Sequence, residues 1–407
     1  MKFTKNKADT APLRDPVYIA SAGAAADTSE EAVNATVGTL RDEDGNLVAL
    51  KTVFDSYDEI SRTAKASYAS AIKGNPAYRK AVYEWVTPEE KPDLAHAVIA
   101  SCGGTAAVYA AVTSLLDEGE ILIIPETAWT TYRLIAETNN LRTLTYKMFD
   151  GERFTLRYIR EALYSVMERQ KKAVLVVNDP CHNPTGYSMS YEEWEELVSL
   201  LNEVSAQGPA ALIDDIAYAD YSFDTAHVHD YMRAWNGISD NVLMAAAFSC
   251  SKTLTSYGMR CGAAVLFAKN SEDLQDLENL MEKKARSIWS SAPNGVMDNF
   301  VRVTGEYRSA YLAEKQTYID LLHRRSSLFL QEAKEAGLHL YPYREGFFIT
   351  LREEDADRCR RIHEALMKKH IYTVLVSGGI RIGICSVPLE KIRGLAAKIK
   401  EAEDQIL

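Results

Sequence analysis

Four short segments of this chain combine residue types that could act together on one ligand. In SCSKTLTSYGMR (249–260), Lys252 follows Ser249 by three positions and precedes Arg260 by eight. Most lysines are solvated surface groups. A lysine fixed near a second cation and away from bulk water instead loses proton affinity, and its free amine becomes a nucleophile toward an aldehyde. The run AALIDD ends in Asp214 and Asp215, with Tyr218 three residues beyond Asp215. A carboxylate at the end of a buried strand needs a partner: it either caps the next segment or opposes a protonated ring nitrogen. In PCHNPTGYS, Asn183 opens an Asn-Pro-Thr-Gly turn, which either simply starts a turn or places an amide at a sheet edge. In CGGTAAVYAAV, Gly103, Gly104 and Thr105 precede a helical pattern. That is either plain turn geometry or a set of N–H groups and a hydroxyl that bind phosphate at the positive helix end.

One ligand would use all of these groups. It carries a phosphate for the glycine turn, Ser249 and Arg260, a basic ring nitrogen for Asp215, a phenolic oxygen for Asn183 and Tyr218, and an aldehyde for Lys252. Pyridoxal 5′-phosphate has all four features. No metal is expected.

Such segments need a scaffold that gathers them. From about residue 97, short apolar runs alternate with longer stretches of helical period. The runs are AVIAS (97–101), ILIIP (121–125), LRTLTYKM (141–148), AVLVVND (173–179), AALIDD (210–215), VLMAAAFS (242–249) and AAVLFAK (263–269). Stretches such as YIREALYSVMERQKK and YEEWEELVSLLNEV lie between them. This alternation predicts an α/β fold, a three-layer sandwich with a mostly parallel central sheet. In open α/β sheets, ligands bind beyond the carboxyl ends of the strands, and each of the four segments follows such an end. After residue 306 the pattern changes to a long helix ending at Gly337, a helix near 354–369, a strand-like stretch over 371–388 and a final helix from about 389. The expected division is a large cofactor-binding domain over 53–305 and a smaller α+β domain from 1–52 and 306–407.

The 407 residues are 47% hydrophobic and 25% charged, as in ordinary globular proteins, and the net charge is −11. No basic block appears, which argues against nucleic-acid binding. The six cysteines are scattered, with no CxxC pair, as for free thiols in a reducing compartment. The first residues lack a signal-like apolar stretch, and no run is long enough to cross a bilayer. The expected location is cytoplasmic.

With these motifs in place, the chain resembles the fold-type I, class I aminotransferases, in order from about residue 33 to 387. HNPTG (182–186), DIAY (215–218), SCSKTLTSYGMR (249–260) and GGTAA (103–107) are similar to that family's cofactor segments. The resemblance implies that Lys252 forms a Schiff base with the cofactor and that Trp129, in AWTTY (128–132), stacks on its ring. It further implies that Arg381, in GGIRIGI (378–384), grips the substrate α-carboxylate. Two stretches resemble the aspartate and aromatic amino acid aminotransferases. NATVGTLRDEDGNLV (34–48) would place Gly38 over the substrate, and KKARSIWSS (283–291) would send Arg286 from a partner subunit to a side-chain carboxylate. Arg286 equally reads as an ordinary helix-terminal cation. The family's phosphate-binding tyrosine precedes a Gly-x-Pro turn by five residues; here Tyr68 precedes Gly74 by six. The resemblance also implies a homodimer with shared active sites.

The expected activity is therefore transfer of an amino group from an L-amino acid, aspartate/glutamate or aromatic, to a 2-oxo acid. A β-eliminating lyase would share every cofactor residue. A non-catalytic regulatory domain is a third reading, disfavoured by the retained lysine and by the lack of room for a basic DNA-binding module before residue 33.

Overall fold

The computed structural model describes residue 3 and residues 9–406. Seven strands form the main sheet: β1 (Ala95–Ser101), β2 (Ile121–Pro125), β3 (Arg142–Tyr146), β4 (Ala173–Val177), β5 (Ala210–Asp215), β6 (Val242–Ser249) and β7 (Gly262–Ala268). Their spatial order is β1-β7-β6-β5-β4-β2-β3. Strands β3 to β6 and β2 run parallel, while β7 is antiparallel to both its neighbours. Each apolar run of the sequence is thus a strand of this sheet.

Helices cover both faces, and the period of two in each strand divides the apolar residues between them. Ala173, Leu175 and Val177 of β4 enter one core, with Trp194 and Trp235; Val174 and Val176 enter the other, with Val108 and Tyr132. Such burial on both faces is why these strands read as continuous hydrophobic runs. The same alternation in β5 sends Ala210 and Leu212 one way and Ala211 and Ile213 the other. Asp214 and Asp215, the next two residues, consequently face opposite sides of the sheet.

A second, antiparallel sheet has the order β8-β10-β9, from β8 (Phe348–Arg352), β9 (Val374–Val376) and β10 (Gly379–Gly383). A third core surrounds it, with Phe329, Ile349, Leu351, Ile362 and Ile382. The long helix covers Arg308–Ala336 and ends on Gly337, whose φ of 72° provides the left-handed C-cap. Val33–Asn34 pairs in parallel with Ile371–Tyr372, which ties the N-terminal segment to this region. The strand-like stretch 371–388 is broken at Thr373 and by the turn at Gly378, where φ is 77°. The helix Pro16–Ala26 has no counterpart in the sequence pattern. It is Ala-rich and weakly amphipathic, and starts at Asp15, whose carboxylate accepts from the Val17 and Tyr18 N–H groups. Among the described residues, no helix is long and apolar enough to cross a membrane.

Candidate active site

The carboxyl ends of the strands meet the turns that follow β1, β4, β5 and β6 in one cleft, lined by Gly104, Thr105, Trp129, Asn183, Asp215, Tyr218, Ser249, Lys252 and Arg260. Its groups fall into three zones.

At one end, Gly104 begins the helix Gly104–Leu115, so unpaired N–H groups point into the cleft. Space here is kept open by glycine. A Cβ on Gly103, whose φ is 89°, would lie 2.6 Å from Arg260 Nη2, and one on Gly104 would lie 3.0 Å from Ser249 Cβ. Arg260 Nη1 donates to Ser251 Oγ at 3.0 Å and to the Tyr257 carbonyl at 2.8 Å. Helix end, hydroxyls and guanidinium form a cradle of anion-binding groups.

In the middle, Asp215 is buried on the face that carries Trp129, while Asp214 lies in the opposite core and accepts from Tyr231 at 2.6 Å. Asp215 Oδ2 accepts from the Tyr132 hydroxyl at 2.7 Å, and Oδ1 accepts from the Ala217 N–H at 3.2 Å. Burial pushes Asp215 toward its neutral form; the Tyr132 and Ala217 hydrogen bonds and the Lys252 charge oppose that. Asn183 Nδ2 lies 3.4 Å from the Tyr218 hydroxyl. Lys252 follows β6, with Nζ 5.1 Å from the centre of the Tyr218 ring. Burial is the main reason its pKa falls to about 8; Arg260 lowers it further and Asp215 raises it. The neutral amine is therefore far more populated near physiological pH than that of an exposed lysine, although the protonated form still predominates.

Toward the second sheet, Arg381 of β10 is buried and lies 4.3 Å from the centre of the Phe348 ring. Its Nη1 donates to Asn183 Oδ1 at 3.1 Å and its Nη2 to the Thr36 carbonyl at 2.7 Å, while Nε is buried without a hydrogen-bond partner among the described residues. An unpaired, buried donor on a cation is costly, and a carboxylate would satisfy it. Gly38 packs here too: a Cβ on it would lie 3.0 Å from Phe348 and 3.5 Å from the Tyr218 hydroxyl.

Two expected residues stand outside this cluster. Tyr68 is 84% exposed, and Arg286 lies on the outer surface with Nη1 donating to Ser290 Oγ at 2.7 Å. Sequence reasoning also missed Ser251, next to Lys252 and hydrogen-bonded to Arg260, and two members from other segments. Tyr132 sits in the same AWTTY segment as Trp129, one helical turn on. Asn178 directly follows β4; its Oδ1 accepts from the Asn183 N–H at 2.7 Å and its Nδ2 donates to the Asp215 carbonyl. The strand-end rule that found Asp215 would have found Asn178.

A family model for aminotransferase class I and II matches residues 30–399. An aromatic-amino-acid aminotransferase of Paracoccus denitrificans is 24% identical over 294 residues, covering 71% of this chain and 73% of that protein. The mitochondrial aspartate aminotransferase of Gallus gallus is 22% identical over 338 residues, 80% of this chain and 78% of that protein. Among solved structures, an aminotransferase from Anaerococcus prevotii superposes with a TM-score of 0.94 at 31% identity, covering 98% of this chain and 99% of that one. An aromatic-amino-acid aminotransferase from Burkholderia pseudomallei, covalently bound to pyridoxal phosphate, shares the fold with a TM-score of 0.79 at 21% identity, over 98% of both chains.

Proposed function

The chain belongs to the class I and II aminotransferases, and from that premise we propose that the cleft works with pyridoxal 5′-phosphate to move an amino group from aspartate, glutamate or an aromatic amino acid to a 2-oxo acid. The observation that carries this reading is the convergence of Lys252, Asp215 and the glycine cradle on one cleft, with Arg381 beside it. The residues fit the cofactor. The cradle that a Cβ on Gly103 or Gly104 would fill has the donors for a phosphate. Asp215 offers an anion to a ring nitrogen, Trp129 a flat face, and Asn183 and Tyr218 donors to a phenolic oxygen.

When bound, pyridoxal 5′-phosphate supplies an aldehyde carbon for the amino group and a ring that withdraws electrons from the substrate Cα. The chain's own groups do the rest. Lys252 would hold the cofactor and, once released, would take the proton from the substrate Cα and deliver it to the cofactor carbon that had carried the aldehyde. Asp215 keeps the ring nitrogen protonated. Arg381 orients the substrate through its carboxylate, a bidentate contact that fixes which Cα bond faces Lys252.

Absorbance of the purified protein, mixed rapidly with a panel of amino acids, tests the reading. Conversion of the cofactor to its amino form by aspartate, glutamate or an aromatic amino acid, reversed by a 2-oxo acid, is expected. Release of ammonia with no transfer to a 2-oxo acid would instead identify a β-eliminating lyase. We also propose a cytoplasmic location, a reading supported by six scattered cysteines without a CxxC pair.

A homodimer follows if Tyr68 and Arg286, both exposed and neither lining the cleft of its own chain, serve the neighbouring one. Light scattering at assay concentration should show a dimer; a fully active monomer would contradict both borrowed contacts.

Arg286 bears on substrate choice. If it meets a side-chain carboxylate, Arg286→Ala removes a charge pair that neutral substrates never make. Loss of about 2–5 kcal/mol, or roughly 30- to several thousand-fold in kcat/KM, is expected for aspartate and glutamate alone. Equal losses for aspartate, glutamate, tyrosine and phenylalanine would make Arg286 structural.

A further inference from the structure

Tyr132 lies in the first turn of the helix Thr131–Thr138, three residues past Trp129, and the two rings meet edge to face at 5.4 Å. Its side chain is 1% exposed, and its hydroxyl reaches through the packing to Asp215 Oδ2. The other carboxylate oxygen has the weaker Ala217 contact. One helical turn therefore carries both an aromatic face for the cleft and a donor to the carboxylate at its centre.

We propose that Tyr132 is a positioning residue, one that holds Asp215 as an anion aimed at the cofactor's ring nitrogen and so sets how far toward acid pH the chain retains its cofactor. The inference rests on the pyridoxal-phosphate reading above. A carboxylate accepting a hydrogen bond at one oxygen is less basic and is fixed in rotation about Cβ–Cγ. Without the donor, Asp215 would bind a proton more readily, and the proton it shares with the ring nitrogen would shift toward the carboxylate. The other groups facing Asp215 cannot replace this function. Lys252, on the helix after β6, loses its charge as pH rises through about 8. Tyr218 lies on the turn after β5 and interacts with Asp215 through charge alone, and Asp214 occupies the opposite face. The Tyr132 hydroxyl keeps its proton throughout, because burial and the neighbouring Asp215 raise its pKa far above the usual phenol range.

Tyr132→Phe removes a single oxygen from a packed ring. The full chain, stripped of cofactor, is titrated with pyridoxal 5′-phosphate from pH 5 to 8.5, and Kd is read from absorbance. Relative to wild type, Kd should rise roughly 10- to 100-fold at neutral pH, and the ratio should grow as pH falls toward the wild-type Asp215 pKa. Phosphate and Lys252 titrations are common to both proteins and cancel in the ratio. Repeating the pair on Asp215→Asn separates this function from simple packing, since Tyr132→Phe should then change Kd less than about threefold. If the variant melts at lower temperature, that second background still decides, because lost packing penalises both equally. A Kd ratio near one, a pH-independent ratio, or an undiminished penalty on Asp215→Asn would overturn the proposal while the functional reading stands. A wild-type chain that takes up no pyridoxal 5′-phosphate would overturn both.

Discussion

Lys252→Ala is expected to lower kcat by about 10⁴-fold or more, because one side chain both attaches the cofactor and transfers the Cα proton. The near-visible absorbance of the lysine-bound cofactor should disappear with it. A second readout concerns stability without cofactor. Burial lowers the Lys252 pKa from 10.5 to about 8, so between these values the unfolded chain binds more protons than the folded one, and stability rises with pH. Below about pH 8 the full cost of burying the charge is present. The cofactor-free Lys252→Ala protein should thus melt above wild type at pH 7, and the difference should shrink between pH 8 and 10.5. Unchanged turnover would remove Lys252, and the site built around it, from the mechanism.

Asp215→Asn should slow single-turnover Cα proton transfer by about 10²- to 10³-fold, the usual loss when a preorganised electrostatic partner is removed. An amide has the shape of the carboxylate but cannot balance a positive ring. Cofactor should still bind, since the glycine cradle, Arg260 and Lys252 are intact. Asp214→Asn is the control. It lies in the opposite core, hydrogen-bonded to Tyr231, and should leave the rate near wild type. If the Asp214 variant were slow and the Asp215 variant normal, the two carboxylates would have to exchange assignments.

That pair also shows what sequence can and cannot convey. The run AALIDD announces a buried strand with carboxylates at its end, and alternation along β5 puts one on each face of the sheet. The identity of each face, however, depends on which helices pack there, and they come from distant parts of the chain. The strands were legible because burial on both faces leaves an unbroken apolar signature, as in AVLVV. The helix Pro16–Ala26 was not, because its alanines give little periodicity. Lys252, Arg260 and Ser249 were legible because they lie within twelve consecutive residues. Tyr132 was hidden for the opposite reason: its partner Asp215 is 83 positions away, and a tyrosine between Thr131 and Arg133 carries no sign of that contact. Tyr68 and Arg286 carry no local signal that would distinguish a surface residue from one used by a neighbour.

The reversed direction of β7 has a consequence for reach. Ser249 ends β6 directly opposite Gly262, the first residue of β7. Had β7 run parallel to β6, its first residue would lie at the far rim, about 20 Å away for a strand of seven residues. Arg260 would then start from the wrong edge of the sheet, and only a crossover of a dozen or more residues could join the two strands. Antiparallel entry lets the chain turn back at once, so that the amine and guanidinium are delivered by one short excursion of 250–261. The eight-residue interval between Lys252 and Arg260 is therefore a length constraint. An insertion in this excursion could preserve every strand pairing of the sheet and still displace the guanidinium from the cradle.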